Sequence, residues 1–172
     1  MKYHLANIFL ILMPPTRWFA FKARVLRLLG VQVGHQTKIC GDVKFYGGGR
    51  ISIGSHCWIG IGARFYTSPG ADVIIGDRCD IAPQVSFMCG THDIGDADRR
   101  AGSGRSERIS VGCGSWVGFG STLLGGCSVG RSSIVAARSL LLGRAYRADS
   151  LLVGSPCQIK RSLEGETGNN DG

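Results

Sequence analysis

No two cysteines in this sequence stand in a Cys-x-x-Cys arrangement, although there are seven of them. An odd, unpaired set argues against a disulfide framework and against a dithiol or zinc-ribbon site, and fits a reduced, cytoplasmic compartment. Long apolar runs are missing too. The strongest, Asn7 to Met13, is stopped by Pro14 and Pro15, far short of the roughly 20 residues a membrane span needs. No small-residue cleavage site precedes those prolines, so a secretory signal is not expected. A Walker-type glycine loop is absent, which argues against nucleotide hydrolysis. The formal charge of +8, carried mostly by arginine, attracts polyanions in general. Yet no basic run with interleaved aromatics, helix-turn-helix or zinc finger appears, and nucleic acid is not an expected partner.

What the chain has in excess is glycine, 27 residues without the strict period of collagen. Tight turns must therefore be frequent. From Val111, aliphatic residues return every sixth position: Val117, Leu123, Val129, Val135, Leu141 and then Val153, with Arg147 the one exception. Four residues after each of the first six stands a small side chain: Ser115, Ser121, Cys127, Ser133, Ser139 and Ala145. The same register runs upstream in triplets, Val33-Ile39-Phe45, Ile53-Ile59-Phe65 and Ile75-Ile81-Phe87. A six-residue period is neither helical nor simply alternating. It suits a short flat strand and a tight turn, repeated so that aliphatic side chains stack inside a prism whose rungs cannot bury their apolar faces alone. Cys57, Cys79 and Cys127 occupy the small inward slot and are expected to pack there.

The interruptions say more than the repeat. Phe45 to Ile53 spans 8 residues, Phe65 to Ile75 spans 10 and Phe87 to Val111 spans 24, always after the third rung of a triplet. With three rungs per coil, every insertion leaves the prism at one corner, and insertions stacked on one edge are where repeat proteins build binding faces. A purely structural solenoid could share the period, but a loop of this length is usually functional or disordered.

From Thr16 to Leu29 the pattern turns helical. Trp18, Phe21, Val25, Leu28 and Leu29 form an apolar side, Arg17, Lys22, Arg24 and Arg27 a polar one, and Gly30 is the stop. This helix is expected to pack on the body or on a neighbouring subunit; peripheral association with the inner face of a membrane is the other reading. The expected organisation is an amino-terminal helical segment (1–30), a repeat domain (31–161) with an inserted loop (88–110) after the third coil, and a flexible polar tail (162–172).

Three stretches carry a family resemblance: IAPQVSFMCGTHD (Ile81 to Asp93), ISVGCGSWVG (Ile109 to Gly118) and VGSPCQIKR (Val153 to Arg161). Together they resemble the hexapeptide-repeat acetyltransferases, especially galactoside acetyltransferase and the O-acetyltransferases of exopolysaccharide clusters. The resemblance implies an all-β left-handed parallel β-helix, against the usual right-handed crossover. It also implies a homotrimer with sites between subunits and direct transfer of an acetyl group from acetyl-CoA to a sugar or glycan hydroxyl, with no metal.

His92 is the expected catalytic residue. It alone of four histidines sits at the base of the long loop, and imidazole is the side chain best poised near neutral pH to take a hydroxyl proton. Asp93 would orient it or bind a sugar, if it is not simply a solvated loop carboxylate; Arg99 and Arg100 could meet an anionic acceptor. By the resemblance, Trp116 contacts the cofactor, where an indole face suits the pantetheine arm. Gly118, Ala136 and Ala137 would let the cofactor approach the backbone, and Lys160 and Arg161 would meet its phosphates. Two departures stand out. The galactoside enzymes' sugar-holding asparagine has no counterpart around Gly60 and Ile61, and Leu142-Gly143 replaces their Thr-Lys, with Arg144 or Arg147 as candidates to compensate. Cys89 lies three residues from His92, but the family places apolar residues in its slot. A zinc enzyme of this fold would need three converging histidines, and His35, His56 and His92 lack that pairing. An N-acyltransferase on an amino sugar and a non-catalytic scaffold are the competing readings.

Overall fold

The structure, a computed structural model, describes residues 2–166. Two helices, α1 (Lys2–Leu12) and α2 (Phe19–Leu28), precede a solenoid of short parallel strands. The first coil is β1 (Gln32–Val33), β2 (Lys38–Ile39) and β3 (Lys44–Tyr46). The second is β4 (Ile51–Ile53), β5 (Trp58–Ile59) and β6 (Arg64–Tyr66), and the third β7 (Val73–Ile75), β8 (Asp80–Ile81) and β9 (Ser86–Met88). A ribbon of β10 (Gly90–Ile94) and β11 (Ala101–Ser106) then leaves the body. Coils four and five follow as β12 (Ile109–Val111), β13 (Trp116–Val117), β14 (Thr122–Leu124), and β15 (Ser128–Val129), β16 (Ile134–Val135), β17 (Leu140–Leu141). The last, partial coil holds β18 (Ala145–Tyr146) and β19 (Ser150–Gly154), on which β20 (Cys157–Ser162) folds back antiparallel.

Every third strand stacks on its predecessor, giving three sheets. Face A is β1-β4-β7-β12-β15-β18, face B is β2-β5-β8-β13-β16-β19-β20, and face C is β3-β6-β9-β14-β17. The three sheets wall a parallel β-helix whose inward residues fill a triangular prism. The triplets supply the core. Phe45, Phe65 and Phe87 stack behind face C with centroids 5.3 and 4.7 Å apart, and Ile39, Ile59, Ile81, Val117 and Val135 line up, fully buried, behind face B. The small slots form a ladder at the A/B corner. Ser115 Oγ donates to Gly130 O and accepts from Ser133 N, and Ser133 Oγ in turn accepts from Ser150 N. Cys57 and Cys79 hold the same position in earlier coils, buried as expected. The corners turn through left-handed residues, including Gln36, His56, Arg78, Ser132 and Asp149 at A/B.

The register departs from the sequence expectation once. After Leu141 the inward residues are Tyr146 and Leu152, and Arg147 and Val153 face out. The turn after Leu141 is one residue short, closed by a bond from Arg144 N to Leu142 O. The whole pattern therefore slips by one, leaving Ala145 exposed and putting Ser150 in the small slot.

The amino-terminal segment closes one end of the prism. Asn7 of α1 donates to and accepts from Phe45 (2.9 Å each way), as a further rung would on the edge strand β3. On α2, Arg27 donates to the carbonyls of Val33 and Gly34 beside edge strand β1. The expected apolar side of α2 is not the side that packs on the body, although Arg17, Arg24 and Arg27 are exposed. Lys22, Ala23 and Leu26 are buried, whereas Trp18, Phe21 and Leu28 are exposed. Lys22 leaves the polar face because its ammonium donates to the carbonyls of Pro14 and Pro15 (3.1 and 3.0 Å) and lies over the Phe19 ring. Of the polar tail expected from Ser162, residues 167–172 lie outside the described residues.

Candidate active site

All three insertions leave at the C/A corner, between β3 and β4, β6 and β7, and β9 and β12. They pack on one another. A Cβ on Gly47, whose φ is +90°, would lie 1.7 Å from Thr67 O, so only glycine lets the first insertion approach the second. Asp72 is buried and accepts from the Arg50 backbone N–H at 2.8 Å and from its guanidinium at 3.0 Å. The backbone N–H first, then the guanidinium, hold the Asp72 carboxyl below its ordinary range against the effect of burial. Beside this corner, on the outer side of face C, Tyr46 and Tyr66 stack at 4.9 Å and 9°. Sequence reasoning passed over this pair; the signal was a Phe-Tyr step repeated 20 residues apart.

The third insertion is the ribbon β10–β11, not an irregular loop. Asp96 shapes its tip by accepting from the N–H groups of Asp98 and Arg99. Among the described residues nothing covers it, and Ile94 is 91% exposed. His92 pairs with Gly104 across the ribbon and is exposed, its ring edge so placed that a Cβ on Gly104 would be 3.8 Å from Cδ2 and Nε2. Asp93 sits where the ribbon register shifts, between His92 and Ile94, and its side chain lies with Arg105, the register partner of Thr91 rather than of His92. Its carboxylate lies 3.2 Å from Arg105 Nε, and no hydrogen bond joins it to His92 among the described residues. Cys89, at the ribbon root, is fully buried, and burial pushes its thiol up to about 11, which leaves no useful thiolate at neutral pH. His35 and His56 do meet on adjacent coils, through the bond from His56 N to His35 O, but at the A/B corner, away from the ribbon.

Trp116 stands on face B, 53% exposed, between Asp80 and Ile134 of the neighbouring coils. The outward column continues through Leu151 to Arg161 on β20, three rungs away. At a strand spacing of about 4.8 Å this is roughly 14 Å. Ala137 is exposed and Ala136 half-buried beside it. Gly118 has another explanation: a Cβ there would lie 2.6 Å from Ala137 N, so glycine is required by coil stacking whether or not a ligand approaches. Lys160 and Arg161 are exposed, and Arg161 is paired with Glu166. Arg144 is committed elsewhere, bound to Cys157 O and stacked over Tyr146. The ribbon leaves the C/A corner, and face B is the side opposite that corner. One chain thus holds His92 and Trp116 on opposite sides of the prism.

Among the described residues no group of three His, Cys, Asp or Glu side chains is arranged to hold a metal ion. No protein-family model matches the chain. Fold and motifs define its class as a hexapeptide-repeat left-handed β-helix, and individual proteins agree. Galactoside O-acetyltransferase of Lactococcus lactis is 25% identical over 120 residues, 69% of this chain and 56% of that protein. The colanic acid biosynthesis protein WcaF of Escherichia coli, provisionally named an acetyltransferase, is 27% identical over 146 residues, 84% of this chain and 75% of WcaF. The chain thus spans about half the length of the Lactococcus relative. A solved hexapeptide-repeat acetyltransferase from Vibrio cholerae superposes with a TM-score of 0.76 at 22% identity, over 95% of this chain and 89% of that one. It has also been solved with acetyl-CoA. AntD, an N-acyltransferase from Bacillus cereus solved with dTDP and 3-hydroxybutyryl-CoA, superposes with a TM-score of 0.67 at 15% identity, over 87% and 90% of the two chains.

Proposed function

We propose that the protein transfers an acetyl group from acetyl-CoA to a hydroxyl of a sugar or glycan precursor, with His92 as general base. The observation that carries this is an exposed imidazole on an uncovered ribbon, at the one corner where all three insertions collect. His92 accepts the hydroxyl proton as the acceptor oxygen attacks the thioester carbonyl. The tetrahedral intermediate expels the coenzyme A thiolate, which takes that proton back from the imidazolium. Asp93, paired with Arg105, is assigned to the acceptor side or to holding the ribbon. The galactoside enzyme and WcaF favour oxygen as the acceptor atom; AntD is the precedent for nitrogen. His92→Ala should lower coenzyme A release with sugar acceptors by about 10² to 10⁴ without changing the melting temperature, since the side chain is outside the core. A variant with full activity would remove this reading, and an unfolded one would make the histidine structural.

The working unit is a homotrimer. With His92 and Trp116 on opposite sides of one prism, a complete site needs the ribbon of one subunit against face B of another. Trp116, Ala136, Ala137, Lys160 and Arg161 would then line the donor's path along that face. We further place the enzyme at the inner face of a membrane, in exopolysaccharide synthesis. Support comes from the uncovered apolar side of α1 and α2 and from the WcaF relationship.

A further inference from the structure

A well-formed cleft lies away from the ribbon, between α2 and the first coils of face B. Its volume is about 720 Å³, within the range of sites for small organic ligands. Arg24 and Arg27 line it from the helix, Lys38 from β2, and the imidazoles of His35 and His56 from the A/B corner; Asp80 is the only carboxylate. Arg27 is fixed by its bonds to Val33 O and Gly34 O. The side chains of Arg24 and Lys38 enter no hydrogen bond or ion pair among the described residues. One wall is aromatic, with Phe19 and Trp58 at 5.6 Å.

Unneutralised cations held against an aromatic wall recognise a phosphate ester attached to something flat. The cleft shares the outward column of Trp116. Lys38, Trp58, Asp80 and Trp116 are register partners on successive coils, and the expected donor contacts continue from Trp116 the other way, toward β20. From these placements we infer that the cleft binds the diphosphate of a diphosphate-linked sugar, leaving the sugar near Trp116 where donor and acceptor would meet. This deepens the acetyl-transfer reading and rests on it for the fate of the sugar, but not for the binding itself.

Calorimetry with inorganic pyrophosphate and with UDP-glucose tests it on the full chain. Both should bind, and Arg24→Glu with Lys38→Glu should weaken both by about tenfold or more, the scale of lost charge-assisted contacts. Coenzyme A affinity should be unchanged. Vesicles carrying a polyprenyl diphosphate sugar separate the two sources of this chemistry: tighter binding there than to UDP-glucose assigns a lipid-linked acceptor, the reverse a nucleotide sugar. No pyrophosphate binding by the wild type, or binding that the double variant leaves intact, would overturn the inference. So would coenzyme A losing affinity in the variant, since the cleft would then belong to the donor. His92→Ala should still bind pyrophosphate, so failure of the catalytic reading is distinguishable.

Discussion

Asp72 shows how much one carboxylate can hold. It is buried, ties the second corner insertion to Arg50 of the first, and has its ionised form favoured chiefly by the Arg50 backbone N–H. Because its folded value lies below the unfolded one of about 3.9, its contribution is complete above that pH. It is lost as pH falls through the folded value. Asp72→Asn should therefore cost about 1 to 3 kcal/mol at pH 7, the usual worth of hydrogen bonds to a charged group. In urea unfolding the gap between variant and wild type should close below about pH 4. A gap independent of pH would mean that shape, not charge, holds the corner. His92 is the contrary case: it is exposed, and its side chain makes no hydrogen bond or ion pair among the described residues, so it has only chemistry to lose.

At the scale of elements, α1 and α2 present an apolar outer side. Leu5, Ile8 and Leu12 of α1 are exposed, as are Trp18, Phe21 and Leu28 around α2. No Asp or Glu occurs before Asp42, whereas the exposed Arg17 adjoins Trp18 at this surface. Apolar area bordered by positive charge suits an anionic bilayer. The chain should co-sediment with phosphatidylglycerol vesicles and not with phosphatidylcholine alone, and Leu5→Glu with Phe21→Glu should release it without lowering the melting temperature. If the double variant instead changes only the oligomeric state, the surface is a subunit contact. The same helix marks where the sequence stopped being readable. A wheel put Lys22 among the polar residues because nothing in the pattern announces that the carbonyls of Pro14 and Pro15 need a donor. The coils were legible through Leu141, since three columns of aliphatic and aromatic residues repeat without error. The turn at Leu142-Gly143-Arg144 is a residue short, and a period cannot foretell a missing residue. His92 stands out in the sequence by its corner position, but the pairing of Asp93 with Arg105 depends on the ribbon, which the loop's composition does not encode.

For the molecule as a whole, the opposite placement of His92 and Trp116 makes a demand on assembly. Donor affinity should drop about 10-fold or more in Trp116→Ala, by analogy with lost aromatic anchors, and His92→Ala should be nearly inactive. On the proposed homotrimer, co-assembly of the two variants should restore activity at low acetyl-CoA, because some sites would unite a native ribbon with a native face B. Activity no greater than the average of the separate variants would mean that each chain builds its own site. Another property follows from how the prism ends. A stack of hydrogen-bonded coils has no natural length, since every terminal rung offers unpaired N–H and C=O groups to another chain. Here Asn7 and Arg27 occupy groups at one end, and β20 doubles back over face B at the other. These terminators turn what would be an open-ended fibre into a particle of fixed size.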